Sequence, residues 1–149
     1  LHLTTTLDFI CPLESYTAIS APFRTDDSDT PPHLGVDFAA AGGTPVQAAQ
    51  SGVVTQAGWD DDHGYFVTIY HGANAAANDD GTYPANYATS YAHLQNKPAV
   101  QVGQRVTQGD VIGYVGNTGD VRGANGGYHL HLELRINGTR TDPLQYIPH

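Results

Sequence analysis

The segment Tyr128-His129-Leu130-His131-Leu132-Glu133-Leu134 alternates strictly between apolar and polar residues. Leu130, Leu132 and Leu134 fall on one side, and His129, His131 and Glu133 on the other. A period of two is the mark of a half-buried β-strand. The leucine side must face a core. The other side then carries two imidazoles and a carboxylate in a row, with like-facing groups about 7 Å apart. These groups bind metals or move protons, so the segment is a candidate wall of an active site; a solvated polar face is the plainer alternative.

The rest of the composition points to strands as well. The 149 residues suit one domain with a sizeable core, and 17 glycines, 9 prolines and 9 tyrosines suit short strands joined by tight turns. No amphipathic helical run of 12 or more residues occurs. The expected fold is all-β, a compact antiparallel sandwich of two sheets over residues 11–149, with residues 1–10 as a lead-in. Six basic against fifteen acidic residues leave a net charge of −9, which argues against nucleic-acid binding, since phosphate contacts need clustered Lys and Arg. No apolar run reaches membrane-spanning length, so no membrane insertion is expected. Cys11 is the one cysteine and has no intrachain disulfide partner; it reads as a small buried hydrophobe. No signal peptide is visible and the chain begins at Leu1, which fits a processed protein or an excised domain.

Along the chain, His33, Gly35 and Asp37 share one face of an extended segment, and Gly35 leaves room for a close approach to the backbone. Asp60-Asp61-Asp62-His63-Gly64 is a turn. Its acidic triplet lacks the alternating spacing of a calcium loop, and it is expected to be solvated, with His63. His71 ends a strong strand and reads as structural. In the strand Thr89–Leu94, alternation puts Tyr91 and His93 on one face. Residues 72–88 form a long polar loop, either a groove wall or a tolerated surface insertion. A Gly/Asn loop follows at 116–127, a hairpin turn at Arg135–Thr139 and one helical turn near Asp142–Tyr146.

His33, Asp37, His93, His129 and His131 thus lie on three separate extended segments. Catalytic zinc takes three protein ligands, and two histidines with one carboxylate suit it. The remaining two histidines would act as general base and as a donor to the transition state. The residues alone do not separate those roles.

His33-x-x-x-Asp37, Tyr91-Ala92-His93-Leu94 and His129-Leu130-His131 resemble the three motifs of the lysostaphin-like (LytM-type) zinc metallopeptidases, which cleave peptidoglycan peptides. The likeness runs over about residues 11–147 and includes "HLGVDFAAAGGTPVQAAQSGVV" and "QVGQRVTQGDVIGYVGNTG". It implies a LytM-like fold with a groove lined by long loops. It also implies one zinc per chain on His33, Asp37 and His131, with His93 and His129 as catalytic histidines. Tyr91, Asn117 and Thr118 match positions lining the substrate groove. Glu133 either supports the ligand His131 from behind or is a plain surface carboxylate.

The activity implied is a zinc endopeptidase cutting cross-bridge or stem peptides of bacterial peptidoglycan. The enzyme would be extracellular or in the cell envelope, secreted or phage-delivered, and monomeric, with wall targeting left to a separate domain. The departures from the family pattern are Pro22-Phe23-Arg24 ahead of His33, the length of loop 72–88, Gly126-Gly127-Tyr128 before His129, and no counterpart of an oxyanion-assisting tyrosine. The competing reading is a non-catalytic LytM-like module that binds or activates a cell-wall amidase. A D,D-carboxypeptidase of another fold does not match the His-x-His spacing. A lipoyl-like carrier would need an exposed lysine at a hairpin tip, and Lys97, the one lysine, lies beside Pro98.

Overall fold

A computed structural model describes residues 8–25, 32–72, 86–121 and 127–149. The expectations for residues 73–85 of the long loop and for Gly126 lie outside them. Among the described residues ten strands follow one another: β1 (Ala18–Ala21), β2 (Val36–Ala39), β3 (Pro45–Gln47), β4 (Gly52–Asp60), β5 (Gly64–Gly72), β6 (Tyr87–Leu94), β7 (Arg105–Val106), β8 (Val111–Tyr114), β9 (His129–Ile136) and β10 (Thr139–Thr141). They form two antiparallel sheets. The larger runs β1-β2-β9-β6-β5-β4-β7, with β10 paired to β9, and the smaller pairs β3 with β8. The all-β, two-sheet expectation therefore holds, and no α-helix occurs among the described residues. The single helical turn near the end is a 3-10 turn, Pro143–Gln145, capped by the Asp142 side chain accepting from the Leu144 N–H.

β9 takes the form its alternation predicts. Leu130, Leu132 and Leu134 are fully buried on one face, where Val36 and Phe38 of β2, Tyr91 of β6 and Ile69 of β5 join them. Val46, Ile112 and Val115, in and beside the small sheet, belong to the same cluster. Burying a leucine stabilises by about 1.5–3 kcal/mol, and truncating one to alanine in such a core costs about 2–5 kcal/mol. The core thus clamps β9 by its leucines and fixes which way its polar groups point. Phe9, from the expected lead-in, also packs into this core, edge-on to His71 and Tyr87. Asn137 and Gly138 both take positive φ, as a two-residue hairpin turn between β9 and β10 requires.

Two registers place the functional face. β9 lies between β2 and β6, with His131 directly opposite Asp37 on one side and Ala92 on the other. Directly opposed residues of an antiparallel pair project to the same face. The second register is broken: Tyr65 pairs with Leu94 but Val67 pairs with Tyr91, so β6 carries one extra residue there. His93 sits in this bulge with φ of 61°, in the left-handed region.

Candidate active site

The bulge corrects the expected phase of β6. Tyr91 and His93 do not share a face. Tyr91 is 0% exposed, pointing into the core, where its hydroxyl accepts from the Ala49 N–H at 2.9 Å and meets Thr89 Oγ1 at 2.6 Å. Burial pushes that phenol up to about 12. It is a packed, neutral core group, so its expected place in a substrate groove is withdrawn. The extra residue turns His93 to the opposite face, and Leu94 returns to the core. Bulges commonly re-aim a side chain in this way beside active sites.

The three expected ligands and the two expected catalytic histidines all line one cleft of about 210 Å³. Asp37, His93, His129 and Glu133 on this face are buried; the polar side of β9 is a cleft floor rather than a solvated surface. His131 sits at its centre. Its Nδ1–H donates to Asp37 Oδ1 at 2.8 Å and its Nε2–H to Glu133 Oε2 at 2.9 Å. His33 Nε2 lies 3.4 Å from the same Asp37 oxygen, while its Nδ1–H donates to the Pro22 carbonyl at 2.8 Å. Gly35 earns its place here, since a Cβ on it would stand 2.6 Å from the His131 ring. The room expected beside that glycine is filled by an imidazole.

The electrostatics follow from this packing. Burial pushes the Asp37 carboxyl up, but hydrogen bonds from His131 and His33 outweigh it and hold the group well below the usual carboxylate range. Burial likewise opposes charge on His131, yet the two carboxylates flanking its ring raise it to about 9. Glu133 is pulled well below its ordinary value: burial resists, and hydrogen bonds from His131 and His63 prevail. Burial, aided by the neighbouring histidines, pushes His93 down to about 4, against the Thr118 carbonyl that favours its charged form.

Three groups here could hold a metal: His33, Asp37 and His131 each offer a ligand atom within 4.8 Å of the others. Zinc bonds of about 2.0–2.1 Å in a tetrahedron separate ligand atoms by about 3.3–3.4 Å, close to the His33–Asp37 spacing. The outer nitrogen of each imidazole is already held, His33 by a carbonyl and His131 by a carboxylate, which is how ligating histidines are usually fixed. The donor set therefore fits zinc.

His93 and His129 flank this group with ring centroids 4.7 Å apart. His93 Nδ1–H donates to the Thr118 carbonyl at 2.6 Å, and His129 Nδ1–H to the Gly127 carbonyl at 3.1 Å. Both Nε2 atoms are thus bare acceptors on the cleft side, and that of His129 lies 3.9 Å from Asp37 Oδ2. Thr118 acts as a bracket: its hydroxyl donates to the Leu94 carbonyl and accepts from the Tyr65 N–H while its carbonyl orients His93. Gly64 permits this, because a Cβ there would collide with Thr118. Asn117 is exposed on the same loop.

His63 also lines the cleft, contrary to its expected solvation. Its Nε2 is 3.6 Å from Glu133 Oε2, its Nδ1 is 3.0 Å from Asp60 Oδ2, and Glu133 chiefly raises its pKa. The Asp60–His63 spacing of three in a tight turn was the available signal; the partner Glu133, on β9, was not visible locally. His71 is structural as expected, its ring bonded to the Ser51 carbonyl and Thr89 Oγ1.

The chain resembles known proteins in sequence and, for the solved structures, in fold. ShyC of Vibrio cholerae, a peptidoglycan DD-endopeptidase, is 38% identical over 111 residues, covering 74% of this chain and 22% of ShyC. A crystal structure of a zinc containing peptidase from Vibrio cholerae superposes with a TM-score of 0.71 at 28% identity, over 91% of this chain and 39% of that one. The catalytic domain of the antimicrobial peptidase lysostaphin from Staphylococcus simulans gives 0.62 at 29% identity, over 89% and 90% of the two chains. The chain spans about a quarter of the length of the curated relatives it matches. The sequence profile of peptidase family M23 matches residues 31–143, most of the chain, and the protein is a member of that family.

Proposed function

We propose that this domain is a zinc endopeptidase that hydrolyses peptide bonds of bacterial peptidoglycan, working in the cell envelope or outside the cell. The observation that carries this reading is the pairing of one three-ligand group, His33, Asp37 and His131, with two histidines whose bare Nε2 atoms face the same cleft. The names of ShyC and lysostaphin support a peptide substrate, the first specifying peptidoglycan.

Zinc, when bound, would polarise the scissile carbonyl and bring the attacking water's pKa toward neutrality. The chain supplies the rest. His33 and His131 give neutral nitrogens and Asp37 a carboxylate, and Glu133 keeps the proton of His131 on Nε2 so that Nδ1 is the ligating atom. His93, held far below the ordinary histidine value, stays an unprotonated acceptor through neutral pH and can take a proton from the attacking water at Nε2. That proton then serves the leaving amine. His129 Nε2, beside it, would take a proton from solvent and then donate it as a hydrogen bond to the carbonyl oxygen, steadying its charge. Asn117, exposed beyond the bracket at Thr118, is a substrate contact in this reading.

The test is digestion of purified peptidoglycans of several bridge types, with and without chelator, read by mass spectrometry. Chelator-sensitive release of peptides with new amino termini supports the reading and names the bond. No release from protein carrying one zinc per chain, across all bridge types, overturns it in favour of a non-catalytic binding module.

A further inference from the structure

Behind His131 lies a second group of ligand atoms. His63 Nε2 and His131 Nε2 converge on Glu133 Oε2 at 3.6 and 2.9 Å. All three residues offer atoms within 4.8 Å of one another. Each donor is also fixed from outside. Asp60 accepts from His63 Nδ1–H at 3.0 Å, which leaves Nε2 as the acceptor of that ring. Arg135 and Arg140 hold Glu133 Oε1 at 3.3 and 3.5 Å, which leaves Oε2 to the imidazoles. A separate cleft of about 120 Å³, floored by Thr68, Ser90 and Ala92, opens onto these atoms. An ion can therefore reach them without passing the first group.

We propose that His63, Glu133 and His131 form a second divalent-cation site, back to back with the one in the Proposed function and resting on that reading for its shared ligand. Two imidazoles and one carboxylate suit zinc or its late first-row neighbours rather than calcium or magnesium. His131 then presents Nδ1 to one ion and Nε2 to the other. An ion entering the second site displaces the Nε2 proton that Glu133 accepts, and the proton leaves to solvent. The guanidinium groups of Arg135 and Arg140 oppose a cation there, which ranks this site below the first. Filling it removes the support Glu133 gives His131, so excess zinc lowers turnover.

Calorimetric titration of chelator-stripped protein with zinc tests this. The wild type should bind two ions, the second roughly tenfold or more weaker than the first. His63→Ala should lose the weaker class alone, and with it the fall in turnover at excess zinc. His63→Gln, which keeps a side-chain amide near Glu133, should do the same if the fold is intact by circular dichroism. His33→Ala should lose the tight class and keep the weak one, and His131→Ala should lose both. A single class in the wild type, or two in both His63 variants, overturns the second site. If His33→Ala keeps the tight class while His63→Ala loses only the weak one, the second site stands and the ligand set of the first fails.

Discussion

β9 and β6 are neighbouring eight-residue strands that each deliver histidine to the same cleft, and they do it by opposite means. β9 keeps its register throughout. Its leucines lock into the core, and His129, His131 and Glu133 follow on the other face. β6 delivers His93 by breaking register, with one extra residue and a left-handed backbone. In the proposed mechanism the regular strand supplies the ligand His131, whose position must match Asp37 across the β2–β9 pair. In that mechanism the irregular strand supplies the base, His93, from the same cleft. A rigid ladder sets distances between ligands, whereas a bulge sets the direction of a single side chain.

The comparison breaks first at the ligands. His131→Ala and Asp37→Ala should abolish both zinc retention and turnover, measured by metal analysis after dialysis and by peptide release. His93→Ala and His129→Ala should keep one zinc per chain and lose turnover by about 10²–10⁴-fold, the range for a positioned acid or base. Loss of the metal in His93→Ala would mean that β6 carries a ligand and that the assigned ligand set is wrong.

Glu133 sharpens the comparison at a smaller scale. If β9 works as a ladder, the residue after the ligand on the same face should matter through the ligand. Glu133→Gln should lower zinc affinity or turnover by about 10–100-fold, the usual effect of removing a carboxylate behind a ligating histidine. A plain surface carboxylate would give no change in a zinc competition assay.

The same contrast explains what could be read from the sequence. β9 was legible because its period of two is unbroken and its apolar side is all leucine. The pairing of Asp37 with His131 spans 94 residues, and no local pattern reports it; it followed only from the family resemblance. The bulge at His93 was illegible for a physical reason. Strict alternation is the default inference for a strand, and nothing in Tyr91-Ala92-His93-Leu94 marks an extra residue. Alternation therefore turns Tyr91 outward, whereas it belongs to the core. His63 reads as a solvated turn residue in the sequence, because the carboxylate that draws it inward comes from another strand.

The two strands also pull the stability of the metal-free protein in opposite directions with pH. His93 is held at about 4 against an ordinary 6.5, so between those values the unfolded chain binds more protons and stability rises with pH. His131 is held at about 9, so its contribution is complete below 6.5 and fades as pH climbs through 9. Asp37 and Glu133, both depressed, add stability that is lost only as pH falls below the ordinary carboxylate range. Denaturant unfolding of chelator-stripped protein should therefore show a maximum near pH 6.5. Added zinc, which takes the place of the His131 Nδ1 proton, should flatten the alkaline side. A maximum above pH 8 in the metal-free protein would contradict the charged state of His131 between its two carboxylates.

The smallest effect isolates the bulge itself. A non-glycine residue in the left-handed region carries a penalty of roughly 1–2 kcal/mol that glycine escapes, partly offset by glycine's greater freedom when unfolded. His93→Gly and His93→Ala remove the same imidazole and the same bond to the Thr118 carbonyl, so they differ only in backbone preference. His93→Gly should be the more stable of the two by about 1 kcal/mol in denaturant unfolding, with both equally inactive. If His93→Ala is instead as stable as His93→Gly, β6 can relax to regular pairing once the imidazole is gone. The bulge would then be held open by the bond of the His93 imidazole to the Thr118 carbonyl rather than built into the strand.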